Sequence, residues 1–177
     1  MNKIKQEKGV TLIALIVTII VLIMLAGITI KEGNSLIKKA KIESVMTNMI
    51  TIKSKAKVLA EEANGELWDL TGDEKANKRD AIFTSEKYKM NNATLNDEQK
   101  NQLSSEEFED KNDIICYSLS DETLNIMGFT EVENCEDYIL VFSKDNFDKL
   151  DVVFNPGVKY QNETIYSLSY MQLKMGE

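Results

Sequence analysis

A chain of 177 residues is long enough for one ordinary domain, but this one has no histidine, 29 Asp or Glu against 21 Lys or Arg, and a formal net charge of −8. The missing imidazole excludes Ser/His and Cys/His nucleophile systems and any His-containing zinc site. The excess of acid argues against nucleic acid as the main partner, because phosphate contacts require a basic surface.

Charge is also segregated along the chain. Residues 1–60 carry a net +7 and residues 61–177 a net −15. Such asymmetry marks contact with a membrane or with a partner. Two readings stay open: a basic stem near anionic lipid beneath a head kept soluble by acid, or acidic heads packed on the basic stems of neighbouring copies.

In chain order, residues 1–9 form a short basic leader in which Lys3, Lys5 and Lys8 stand against Glu7. Residues 10–30 follow as an apolar helix: 14 of these 21 positions are Leu, Ile or Val, and no charged residue occurs from Gly9 to Ile30. A helix over that run reaches about 33 Å, against a hydrocarbon core of about 30 Å, so it can span a bilayer. The lysines of the leader place the N-terminus in the cytoplasm, although Lys31, Lys38, Lys39 and Lys41 after the span oppose them, and the large acidic head is expected outside. A secretory signal peptide fits poorly, because the apolar core is longer than about 15 residues and Met24-Leu25-Ala26 is a weak small-x-small site. A plain signal anchor fits the hydropathy and leaves the leader unexplained.

The junction Lys8-Gly9-Val10-Thr11-Leu12-Ile13-Ala14-Leu15, a basic leader ending in Gly directly against an apolar helix, resembles the processing site of type IV pilin and pseudopilin precursors. Gly9 offers a protease an unhindered, flexible backbone at the membrane face. The resemblance implies cleavage by a prepilin peptidase between Gly9 and Val10, methylation of the Val10 amine, and assembly with other pilin subunits through the N-terminal helix. The family usually has Phe at the first mature position and Glu at the fifth, where this chain has Val10 and Ala14. Ala14 cannot supply a carboxylate to pair with a neighbour's terminal amine. That absence resembles minor pseudopilins and pilin-like proteins of Gram-positive bacteria, clostridia among them, more than a major pilin.

Residues 31–64 read as an amphipathic stem. Gly33-Asn34-Ser35 is a local breaker, after which Ile42, Val45, Met46, Met49, Ile52, Ala56, Leu59, Ala60 and Ala63 recur at helical spacing and Asn64-Gly65 is a stop. Residues 65–113 read as a polar connecting region with short helices at 96–103 and 104–108. Residues 114–177 read as an antiparallel β-sheet head: a strand at 114–119, a short helix from Ser120 to Met127 stopped by Gly128, strands at 138–143, 150–154 and 164–173, and a turn at Asn155-Pro156-Gly157. The fold class is therefore α+β, and the resemblance implies a pilin-like form of it, a long N-terminal helix, half transmembrane and half amphipathic, packed on the small sheet.

No motif for catalysis, cofactor or metal binding is present, and the resemblance implies a structural subunit and not an enzyme. Cys116 and Cys135 either close a loop of roughly 20 residues as a disulfide or remain two buried thiols. Asp145, Asp148 and Asp151 match no EF-hand and read as a solvated acidic loop before a calcium site. Asn92-Ala93-Thr94 and Asn162-Glu163-Thr164 fit the glycosylation pattern without further support. The rival to a filament subunit is a single-pass anchored protein whose extracellular head binds a ligand and never polymerises.

Overall fold

The structure is a computed structural model that describes the backbone of residues 4–67, 69–129 and 137–176, with side chains at 15–22 and from 38 onward within those ranges. Two compact units are present, Met1–Glu43 and Ser44–Glu177. Helix α1 (Ile4–Glu66) supplies the described backbone of the first unit and opens the second. Gly33-Asn34-Ser35 does not break it. A glycine inside a helix costs only about 1 kcal/mol relative to alanine, less than nucleating a second helix beyond it. All nine apolar positions of the stem pattern, from Ile42 to Ala63, are buried.

The second unit is α+β. After α1 come α2 (Gly72–Phe83), β1 (Asn91–Ala93), α3 (Asp97–Asn101), β2 (Ile114–Ser118), α4 (Asp121–Ile126), β3 (Tyr138–Ser143), β4 (Leu150–Tyr160), β5 (Glu163–Ser167) and α5 (Leu168–Met175). The strands form one antiparallel sheet in the order β1-β2-β3-β4-β5. Its register puts Tyr117, Leu140 and Val152 in one row on one face and Cys116, Val141 and Asp151 in one row on the other. Both faces are covered. On the first, the Phe83 ring lies 5.4 Å from Tyr117 and 5.5 Å from Phe142, and the Asn48 amide of α1 donates to the Tyr138 hydroxyl at 3.2 Å. On the second, Leu95, Leu103 and Phe108 pack on Cys116, Ile139, Val141 and Val153. Burial on both sides explains why β3 reads as an unbroken apolar run with no polar alternation.

Residues 65–113 do more than connect. They contribute α2 and the first strand of the sheet, and they bury Phe83, Tyr88, Met90, Leu95, Leu103 and Phe108. The expected helix at 96–103 is α3, held by a capping box between Asn96 and Gln99. Residues 104–108 form a turn in place of the expected helix, closed by the Phe108 N–H donating to the Ser104 carbonyl.

Two further expectations are corrected in the C-terminal part. Asn155-Pro156-Gly157 is not a turn between strands but lies inside β4, where the pairing with β5 jumps from Val153 to Val158. Proline has no N–H to give a ladder, and a bulge accommodates that loss. The expected strand at 164–173 ends at Ser167, whose side chain accepts from the Tyr170 N–H and caps α5. A serine in that position offers the backbone a helix start that alternating apolar residues do not disclose.

Candidate functional site

The residues singled out by sequence fall in α1 and around the sheet. Gly9 and Val10 lie within the helical backbone of α1, but their side chains fall outside the described residues, as do most of those of the expected span at 10–30. Among the described residues no helix is long and apolar enough to cross a membrane. Side chains are described at 15–22, two turns of helix, and there seven large apolar side chains, Leu15, Ile16, Val17, Ile19, Ile20, Val21 and Leu22, are each 46% to 63% exposed. Two turns point around the whole helix, so the surface is apolar on every side. The one polar group among them is satisfied internally: the Thr18 hydroxyl donates to the Leu15 carbonyl at 2.8 Å. Covering the exposed half of each of these side chains gains on the order of 1 kcal/mol, so the stretch favours an apolar surrounding.

Within the second unit, α1 contributes charge as well as core. Lys53 donates to both carboxylate oxygens of Glu107 at 3.3 Å, and its Nζ stands 3.9 Å from the carboxylate of Asp151, which is wholly buried on β4. The Ser169 hydroxyl and the Val152 N–H also donate to Asp151. Burial pushes the Asp151 carboxyl above its usual range, opposed by Lys53 and these hydrogen bonds. This group ties α1, the 104–108 turn, β4 and the start of α5 to one another. Sequence reasoning missed it, since Lys53 reads as stem surface and Asp151 as part of an acidic loop. Asp145 and Asp148 remain exposed, so the three aspartates are not brought together. Among the described residues no cluster of three or more His, Cys, Asp or Glu offers a metal site.

Cys116 is a buried free thiol among Leu95, Leu103 and Val141, and burial raises its pKa to about 11. Cys135 falls outside the described residues. Asn92 and Asn162 are exposed, the first in β1 and the second in the β4–β5 turn. Arg79 is a second buried charge that no motif announced. Its guanidinium lies 4.3 Å from the centre of the Phe147 ring and donates to the Lys144 carbonyl at 3.3 Å, and desolvation lowers its pKa. It anchors the β3–β4 connection from beneath.

The C-terminal strand is closed by a side chain. Gln102 donates through Nε2 to the Thr164 carbonyl at 2.7 Å and accepts through Oε1 from the Tyr166 N–H at 2.7 Å, while the Gln102 main-chain carbonyl accepts from the Ser167 hydroxyl at 2.8 Å. One glutamine thus stands where a sixth strand would pair.

Clefts lined by described residues include two on this unit. One is lined by Glu86, Asp121 and Glu122 together with Lys89, whose Nζ lies 2.9 Å from Glu122. The other, of about 210 Å³, runs between α1 and α5 and is lined by Ile50, Lys53, Ser54, Lys57, Leu168 and Gln172. The lining hydroxyls bond to backbone carbonyls or, for Ser120, to the Thr123 hydroxyl. No family model matches this chain, and neither the curated proteins nor the solved structures contain a match to it.

Proposed function

We propose that this chain is a structural subunit, a minor pilin or pseudopilin, of a type IV pilus or type II secretion-like filament. A prepilin peptidase cuts it between Gly9 and Val10 and methylates the Val10 amine, and it assembles with other pilin subunits through its N-terminal helix. Before assembly it is held in the membrane with its N-terminus cytoplasmic and its acidic head outside; afterwards it is part of a surface filament. The observation that carries this reading is the all-round apolar surface of α1 at Leu15–Leu22, directly behind a basic leader that ends in Gly9.

The physical logic is an exchange of one apolar surrounding for another. Lipid tails are as apolar as leucine, so moving this helix from a bilayer into a bundle of like helices gains little from the hydrophobic effect and depends on close packing. Ala14 adds no charge to be matched in that step. Register along the filament then falls to contacts made by residues 44–177.

Intact-mass analysis of the protein from its own cells tests the proposal. A mature chain lacking residues 1–9 and carrying one added methyl is expected. An unprocessed terminus, or cleavage at the same bond after a bulky substitution of Gly9, would overturn it.

A further inference from the structure

We infer that the groove between α1 and α5 is a homotypic contact site that seats an acidic surface, drawn from residues 61–177, of a second copy of this chain. The inference rests on the assembly reading above and adds to it where and by what chemistry two copies meet.

The groove is lined by two lysines, two apolar side chains and two neutral polar ones, with no carboxylate among them. Lys53 is already held by Glu107 and Asp151. Lys57 is exposed and has no carboxylate within ion-pair distance among the described residues, so its charge is available to a partner. Apolar surface is exposed here too: Ile50 lines the groove, and Leu173, next in α5 to the lining Gln172, is 74% exposed. An uncovered apolar rim beside a free ammonium suits a partner that brings carboxylates together with some apolar area.

Residues 61–177 of the same chain supply such a surface, with a net charge of −15. Two of these acidic surfaces repel one another, and two grooves facing each other would bring their Lys57 ammoniums together. A groove set against acid is the attractive pairing, and it joins different patches on the two copies. A contact between unlike patches leaves one of each patch unused at either end, so unless its rotation closes a ring it repeats indefinitely. That is the geometry a filament requires. The groove is small, with room for one or two side chains, so it is one contact among several that hold neighbours together, and covalent capture reports it better than an affinity does.

Ser54 lines the groove, is exposed, and bonds only to its own helix through the Ile50 carbonyl, so a photoreactive benzoyl-phenylalanine replacing it in the full chain samples the site in cells. Irradiation is expected to give an adduct of twice the chain mass whose cross-linked peptides come from residues 61–177. Lys57→Glu is expected to lower its yield by about fivefold and Lys57→Arg to preserve it, with thermal melting confirming that both variants fold. Adducts confined to lipid or to unrelated proteins, cross-linked peptides from residues 1–60, or a yield indifferent to Lys57→Glu would each overturn the inference. A chain correctly cut after Gly9 that gives no adduct overturns the groove and leaves the assembly reading standing. An uncut chain that gives the adduct does the reverse.

Discussion

Asp151 is a carboxylate with no exposure to solvent, facing Lys53 and Glu107 as its charged neighbours. Its pKa in the folded chain is raised, so the native state takes up its proton at a higher pH than the unfolded chain does. The ionised form therefore lowers stability above the folded-state pKa. That cost fades as pH falls through the folded value and is gone below the unfolded value near 3.9. Asp151→Asn removes this titration. The urea midpoint of the wild type is expected to rise relative to that of Asp151→Asn between pH 7 and pH 4, and a difference that does not change with pH would contradict the burial of the charge. Cys116 makes a simpler prediction. With a pKa of about 11 and almost no exposure, it is a protonated thiol at neutral pH. It is expected to resist alkylation in the native chain and to react in denaturant without added reductant, read by mass. A buried thiol at Cys116 was one of the two readings the sequence left open, but the Lys53–Asp151 pair was not visible in it. Lys53 and Asp151 are far apart in the chain and each sits in a segment whose local pattern says surface, so only the tertiary fold brings them together.

Among elements, the most legible were those whose burial is one-sided or complete. The stem's apolar spacing named every buried position from Ile42 to Ala63, and the run at 138–143 is β3 itself. What escaped was structure built by local hydrogen bonding. Asn155-Pro156-Gly157 carries turn chemistry but uses it for a bulge, and Ser167 turns a strand into a helix. The sparse aromatics of residues 65–113 looked like a loop because their helix is polar on most sides, although Phe83 alone touches Tyr88, Tyr117, Phe142 and Phe147. Gly157 shows how tightly the bulge is built. Its φ is +66°, and a Cβ there would run into the Thr164 methyl and stand 2.7 Å from Tyr166 Cε1. Gly157→Ala combines left-handed strain with overpacking and is expected to cost about 2 kcal/mol or more. Chemical denaturation measures it, and a loss under about 0.5 kcal/mol would show that β4 relaxes around the methyl.

For the whole molecule, the two ends differ in what the chain's own pattern discloses. The leader and the apolar run are patterns in the chain itself and need no structure to be seen; the groove beside α5 needs both helices in place. The apolar run carries the clearest prediction. A charge in the middle of it costs about 2.5 to 3.5 kcal/mol in a membrane, so Ile19→Asp is expected to move the chain out of the membrane and filament fractions, whereas Ile19→Val leaves it there. Fractionation of cells followed by immunodetection gives the answer, with limited proteolysis showing that residues 44–177 stay folded. Retention of Ile19→Asp in those fractions would mean that Leu15–Leu22 is not the anchoring surface.

The sheet, finally, is finite by its own sequence. β1 is three residues long, and the outward-facing groups of β5 at Thr164 and Tyr166 are already taken by Gln102. Exposed strand edges are where proteins join by lending strands to one another and where they aggregate. With both edges short or occupied, copies that assemble as proposed would meet as finished bodies. A polymer made of finished bodies can be dismantled and its parts used again.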